Sequence, residues 1–91
     1  MEDSDEEIRV WLVERNVDQR NLVTLVYATP DGRRRHLRQL SSGAIDRGTD
    51  VTAAKTVHPD DLEAVEDETT RDRYESEASR VADRHSADDT L

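Results

Sequence analysis

One short segment of this chain holds most of the side chains that could do chemistry. Residues 29–40 read TPDGRRRHLRQL and crowd four arginines into six positions around a histidine. Arginine forks bind phosphate and carboxylate groups through paired N–H donors, so the segment predicts contact with an acidic partner or with nucleic acid. The alternative is a solvated strand face whose arginines are neutralised by acids elsewhere in the chain. The candidate contact residues are Arg33, Arg34, Arg35, His36 and Arg38.

The charge of the whole chain weakens the nucleic-acid hypothesis. There are 22 acidic and 13 basic residues, the formal net charge is -9, and every basic residue except Lys55 is an arginine. Arginine is therefore the ordinary cation of this chain, and phosphate contacts lose affinity steeply as salt rises. Trp11 and Tyr27 would add base stacking if they shared the exposed face. If the segment contacts a partner, we expect that partner to be acidic.

The other polar residues form no recognisable catalytic or cofactor motif. Ser41 and Ser42 follow His36 closely but lie in no nucleophile elbow. The three glycines form no phosphate-binding loop, and the chain has no cysteine. We therefore predict no enzymatic activity, no catalytic residues, no cofactor and no small-molecule substrate.

The segment HPDD raises a metal site as an alternative. His58 lies beside Asp60 and Asp61, and a second histidine from elsewhere would complete a set of two histidines and one carboxylate. The same residues are also typical of a helix start, because proline suits the first helical position and acids favour the first turn. We favour the helix start and predict no metal site.

Hydrophobic patterning predicts the elements that position these groups. The hairpin signal Pro-Asp-Gly at residues 30–32 separates two strand-like segments. Leu37 and Leu40 are three residues apart, so a regular strand cannot direct both of them into the core. Helices are expected from His58 and over residues 67–85. Strands are expected over residues 8–15, 22–29, 33–40 and 51–57.

These elements define an α+β fold in the order β-β-β-β-α-α, an antiparallel sheet of three to four strands with the C-terminal helix packed on one face. We predict an acidic disordered tail at residues 1–7, a single small domain at 8–86 and a flexible tail at 87–91. The sheet carries bulky side chains on both faces, and one thin helix cannot cover both. A homodimer or another protein partner is the expected cover.

The chain has no apolar run of membrane-spanning length, and its start, MEDSDEE, has the wrong charge for a signal peptide. We predict a cytoplasmic protein without membrane contact. Its acid excess, its single lysine and the segments MEDSDEE and SADDTL make it resemble the small acidic proteins of haloarchaea that have no assigned function. That resemblance implies stability at high salt and transfers no site residues.

The function predicted from the sequence is that of a small non-enzymatic interaction module, self-associating or an accessory subunit. The alternative is a nucleic-acid-binding or regulatory protein that uses the basic strand from Arg33 to Arg38.

Overall fold

The computed structural model describes residues 7–43 and 51–91. Five antiparallel strands form one sheet in the order β4-β1-β2-β3-β5, and one long helix follows them. The predicted α+β fold, with its antiparallel sheet and C-terminal helix, is confirmed. No helix of the described residues is long and apolar enough to cross a membrane. The elements are β1 at Ile8–Val17, β2 at Leu22–Ala28, β3 at Arg34–Ser41, β4 at Ala54–Val57, β5 at Glu63–Ala64 and α1 at Glu68–Arg84.

The β2–β3 hairpin turns where Pro-Asp-Gly predicts it. Thr29 Oγ1 donates a hydrogen bond to Asp31, whose carboxylate also accepts from the Arg33 amide. These two bonds lower the pKa of Asp31. Gly32 has a φ of +73° and lies against the backbone of α1, where a β-carbon would collide with the carbonyl oxygen of Arg71. The turn therefore needs glycine for its conformation and for its contact with the helix.

The segment after His58 differs from the prediction. A single 3-10 turn forms at Pro59–Asp61, capped by His58 Nδ1 accepting from the Asp60 amide at 3.1 Å, and the chain then extends as β5. Leu62 packs against the core, and the Val65 amide donates to the Arg33 carbonyl at 2.9 Å. These tertiary contacts hold the chain extended along β3 and override the local helix signals.

Strand β1 contains a bulge that decides which face its charged residues occupy. Leu12 pairs with Tyr27 and Glu14 pairs with Val26, so Val13 is the extra residue between them. Beyond the bulge, Glu14 and the following Arg15 lie on opposite faces of the sheet.

The sheet has two faces with separate cores. The face that carries α1, called here the helix face, packs Val26 and Ala28 against Val65 and Tyr74. The opposite face carries the larger core, and Tyr27 is 1% exposed at its centre. That larger core comprises Val10, Leu12, Val23, Leu25, Tyr27, Val51 and Val57.

The C-terminal segment runs along residues 51–53, which precede β4. The Leu91 amide donates to the Val51 carbonyl at 2.7 Å, and the Ala53 amide donates to the Asp89 carbonyl at 2.8 Å. The side chain of Leu91 packs against the larger core. The flexibility expected of residues 87–91 stays a prediction, which hydrogen exchange of the Leu91 amide would test.

Candidate functional site

Strand alternation divides the arginine-rich segment between the two faces of the sheet. Arg35 and Leu37 pair with Ala28 and Val26 and share the helix face. The alternate residues of β3 face the other way, so His36 and Arg38 share the opposite face with Tyr27. Arg34 follows the alternation of His36, and Arg33 precedes β3 in the turn. The five predicted contact residues therefore do not form one surface.

Arg35 is tied into the structure of the helix face. Its Nε donates to Glu63 Oε1 at 2.8 Å, and its Nη1 donates to the Tyr74 hydroxyl at 3.4 Å. The Tyr74 and Glu63 hydrogen bonds raise the pKa of Arg35. Arg35 thus joins β3, β5 and α1, which is a structural role rather than contact with a partner.

His36 also has an intramolecular partner. Its Nδ1 lies 3.1 Å from the Asp61 carbonyl oxygen, to which it donates when that nitrogen is protonated. This bond links the 3-10 turn to β3. His36 therefore does not need an external ligand to satisfy this nitrogen.

Arg38 lies with two cations from other strands around Tyr27. Arg15 and Arg38 both pair with Leu25, from its two sides, so they flank it in one row across the sheet. Lys55 comes from β4 and places its Nζ 5.7 Å from the centroid of the Tyr27 ring. We call Arg15, Arg38 and Lys55 the cationic cluster.

The pKa shifts at this site indicate that the charge of Arg38 acts on its neighbours. Burial lowers the pKa of Lys55, and the positive charge of Arg38 lowers it further against the opposing pull of Asp61. Burial raises the pKa of Tyr27, although its hydrogen bond to the Thr52 carbonyl and the charges of Arg38 and Arg15 lower it. Lys55 and Tyr27 are therefore both affected by the charge of Arg38.

No residue of the cationic cluster makes an ion pair within the described part of the chain. Other arginines do find carboxylates, such as Arg73, which reaches Glu14 at 3.0 Å, and Arg20, which reaches Asp18 at 3.3 Å. A set of unpaired guanidinium and ammonium groups at one place can bind carboxylate or phosphate groups.

Of the three residues of this cluster, Arg38 was predicted from the sequence. Lys55 is the single lysine, but its contact with Tyr27 depends on the order of the strands. Arg15 reaches this face because of the bulge at Val13, which no local signal in β1 announces.

The stacking platform considered for nucleic acid does not form. Trp11 pairs with Ala28, whereas Leu12 pairs with Tyr27, so Trp11 and Tyr27 lie on opposite faces. Tyr27 is also buried. The condition for stacking, that the two rings share an exposed face, is not met because Trp11 and Tyr27 lie on opposite faces of the sheet.

The HPDD segment has a local explanation in its hydrogen bonds. His58 Nδ1 accepts from the Asp60 amide and lies 3.5 Å from the Asp60 carboxylate. Across residues 7–43 and 51–91, no group of three or more His, Asp or Glu side chains is placed to hold a metal ion.

The chain belongs to a family of unknown function (DUF7967), whose profile matches residues 4–91. No curated protein and no solved structure matches the sequence. Family membership supplies no activity or site residues, so function has to be argued from the cationic cluster.

Proposed function

We propose that this member of a family of unknown function is a small non-enzymatic interaction module that binds an acidic segment of a partner protein. The observation that carries the proposal is the cationic cluster, in which Arg15, Arg38 and Lys55 surround Tyr27 without an ion pair from the described residues. The cluster occurs in a chain with a net charge of -9.

Energetics support a contact role for the cluster. Like charges held close together on a folded protein cost stability, and the charge of Arg38 adds to the effect of burial in lowering the pKa of Lys55. Asp61 attracts Lys55, but it forms no ion pair with the cluster within the described part of the chain. Carboxylates from a partner would offset the repulsion among these cations. Part of the binding free energy would then come from removing a repulsion that destabilises the unbound protein.

An acidic protein segment fits the cluster better than nucleic acid does. Single strands are held by stacking on exposed aromatic rings, and Tyr27 is buried beneath the cluster. A body with net charge -9 repels a long polyanion at a distance. A short acidic segment with only a few charges is repelled far less.

The test compares two triple variants with the same change in charge. The cluster variant is Arg15→Gln, Arg38→Gln and Lys55→Gln. The control is Arg9→Gln, Arg33→Gln and Arg84→Gln, which removes three exposed arginines that also lack ion pairs in the described part of the chain.

Fluorescence anisotropy would follow a labelled peptide of alternating Glu and Val, about 12 residues long, and a single-stranded DNA of similar charge. We expect the cluster variant to bind the peptide about tenfold more weakly, since three solvent-accessible charge contacts are each worth about 0.5 kcal/mol. The control should lose much less. Equal losses in the two variants, or tighter binding of the DNA, would overturn the proposal.

Self-association stays a second prediction from the sequence. Val17 and Leu37 are apolar residues on strands, and they are 63% and 45% exposed to solvent, respectively. Sedimentation in molar KCl would test it, and a strict monomer would exclude the homodimer.

A further inference from the structure

We infer that the acidic segment binds as an added β-strand along the outer edge of β3, next to Leu37 and Gln39. This inference rests on the proposed function and specifies how the partner is recognised. It is carried by three observations, namely the unpaired backbone of that edge, the side chains on its two sides and the charge that opposes a second copy.

The backbone groups of Leu37 and Gln39 point away from the sheet. The Thr29 amide donates to the Arg34 carbonyl, so Arg34 and every second residue after it direct their backbone groups toward β2. On the other side, Val65 donates to the Arg33 carbonyl, and Arg35 pairs with Glu63 of β5. Leu37 and Gln39 continue that outward series.

Strand β5 covers only the first part of this edge. It pairs with Arg34 and Arg35 and then ends, and no other strand of the described residues pairs with β3 on this side. Leu37 and Gln39 are both exposed. The edge therefore offers two N–H and two C=O groups in the spacing that an incoming strand needs.

The side chains beside this edge differ between the two faces. Leu37 is 45% exposed on the helix face, where α1 packs chiefly on β1. Arg38 lies on the opposite face with the rest of the cationic cluster. A strand that alternates apolar and acidic residues would cover Leu37 with one set and meet Arg38 with the other.

The most symmetric pairing of a second copy with this edge places like charges opposite each other. The antiparallel register that pairs Leu37 of one copy with Gln39 of the other makes Arg38 its own cross-strand neighbour. Like charges directly opposite each other destabilise a strand pair, and charged edges are a known protection against self-pairing. The same arginine attracts an acidic strand, so the edge selects a different chain.

Amide hydrogen exchange would test this inference on the unmodified protein with the Glu-Val peptide. We expect the Leu37 and Gln39 amides to exchange fast without peptide and to slow by at least about tenfold when it is saturating. The matched control is the Thr56 amide. Its neighbour Lys55 pairs with Val10, and Thr56 directs its backbone away from β1 on the other edge of the sheet. Thr56 should not change.

A second measurement uses peptides that carry N-methyl groups on alternate residues. Methylating the Val amides should weaken binding about tenfold or more if the strand is antiparallel, whereas methylating the Glu amides should be tolerated, and a parallel strand would reverse the two results. If both methylated peptides bind equally while binding still depends on the cationic cluster, the edge inference is wrong and the proposed function stands. If the unmodified peptide does not bind, both fail.

Discussion

The two faces of the sheet treat their basic residues in opposite ways. On the helix face, Arg35 reaches both Glu63 and Tyr74, and Arg73 of α1 reaches Glu14 of β1. On the opposite face, Arg15, Arg38 and Lys55 make no ion pair within the described part of the chain. The contrast occurs within one strand, since Arg35 and Arg38 both belong to β3.

The difference teaches how an arginine-rich strand can hold two roles at once. Arg35 and Arg73 on the helix face join elements together, and their partners are already present in the fold. Arginines on the opposite face remain available to an outside carboxylate. Alternation of side chains along β3 is the physical cause, because neighbouring residues point to opposite sides of the sheet.

The largest expected effect comes from the hairpin that supports the helix face. Gly32→Ala forces an L side chain into a φ of +73° and against the backbone of α1. We expect the free energy of unfolding to fall by about 3 kcal/mol, from strain and displacement of the helix. Chemical denaturation would measure it. Asn21→Gly is the control, because Asn21 also has a positive φ, of 64°, and should change stability by less than about 0.5 kcal/mol.

Salt is expected to have the next largest effect on stability, and the size of this effect should depend on the cationic cluster of the opposite face. The acid excess predicts that the melting temperature rises from tens of millimolar to molar KCl, by about 5 °C or more, as repulsion among carboxylates is screened. The cluster variant, which is more acidic, should show a steeper rise. A flat or falling melting temperature in the unmodified protein would contradict the resemblance to halophilic proteins.

Arg35 and Arg38 provide the most direct comparison. Arg35→Gln removes the bonds to Glu63 and Tyr74, and we expect a loss of about 1 kcal/mol in the free energy of unfolding. Arg38→Gln should leave stability unchanged or slightly higher, because it removes a repulsive charge. Urea unfolding of both variants would measure the difference. If Arg38→Gln costs as much as Arg35→Gln, the opposite face depends on its arginines for structure.

Lys55 gives the smallest expected effect and adds a pH dependence. Lys55→Met should stabilise the protein at neutral pH by at most about 0.5 kcal/mol, since solvent screens much of the cost of the partly exposed charge. Lys55→Arg keeps the charge and should give no gain.

The pH dependence follows from the lowered pKa of Lys55. Above that pKa and below the unfolded value of 10.5, the unfolded chain binds more protons than the folded one, so stability rises with pH. We expect this rise in the unmodified protein and not in Lys55→Met. Thermal melts below pH 10.0 would measure it, because the raised pKa of Tyr27 acts in the opposite direction above that value.

Local sequence predicted those parts of the fold that local physics decides. The Pro-Asp-Gly turn, the strands around it and the helix over Glu68–Arg84 follow from turn chemistry, β-branched residues and charge spacing. The incompatible spacing of Leu37 and Leu40 is confirmed, since Leu40 packs against the larger core and Leu37 is exposed. The helix expected after His58 was wrong because long-range bonding along β3 competes with it.

The candidate site was harder to predict for a related reason. It joins β1, β3 and β4, and the sequence does not show which strands are neighbours. Arg38 was identified from its local density of arginines, whereas Arg15 and Lys55 gain their significance from the strand order and from the contact with Tyr27. Strand parity, once the register is known, separates Arg35 from Arg38.

The bulge in β1 has a consequence for how sequence length can change in this strand. Val13 is the unpaired extra residue, so deleting it would leave Glu14 opposite Val26 and Arg15 opposite Leu25, at the cost of its own packing on the helix face. Inserting one residue just after Arg15 would leave both faces intact up to that point and exchange them beyond it. If one residue were inserted between Val13 and Glu14 and took part in strand pairing while Val13 stayed in the bulge, the faces would be exchanged. Glu14 would then lie on the face of Tyr27, and Arg15 would lie on the face of α1. Deletion of Val13 is therefore expected to be tolerated. Insertion of a paired residue directly after Val13 is expected to exchange the charges of the two faces.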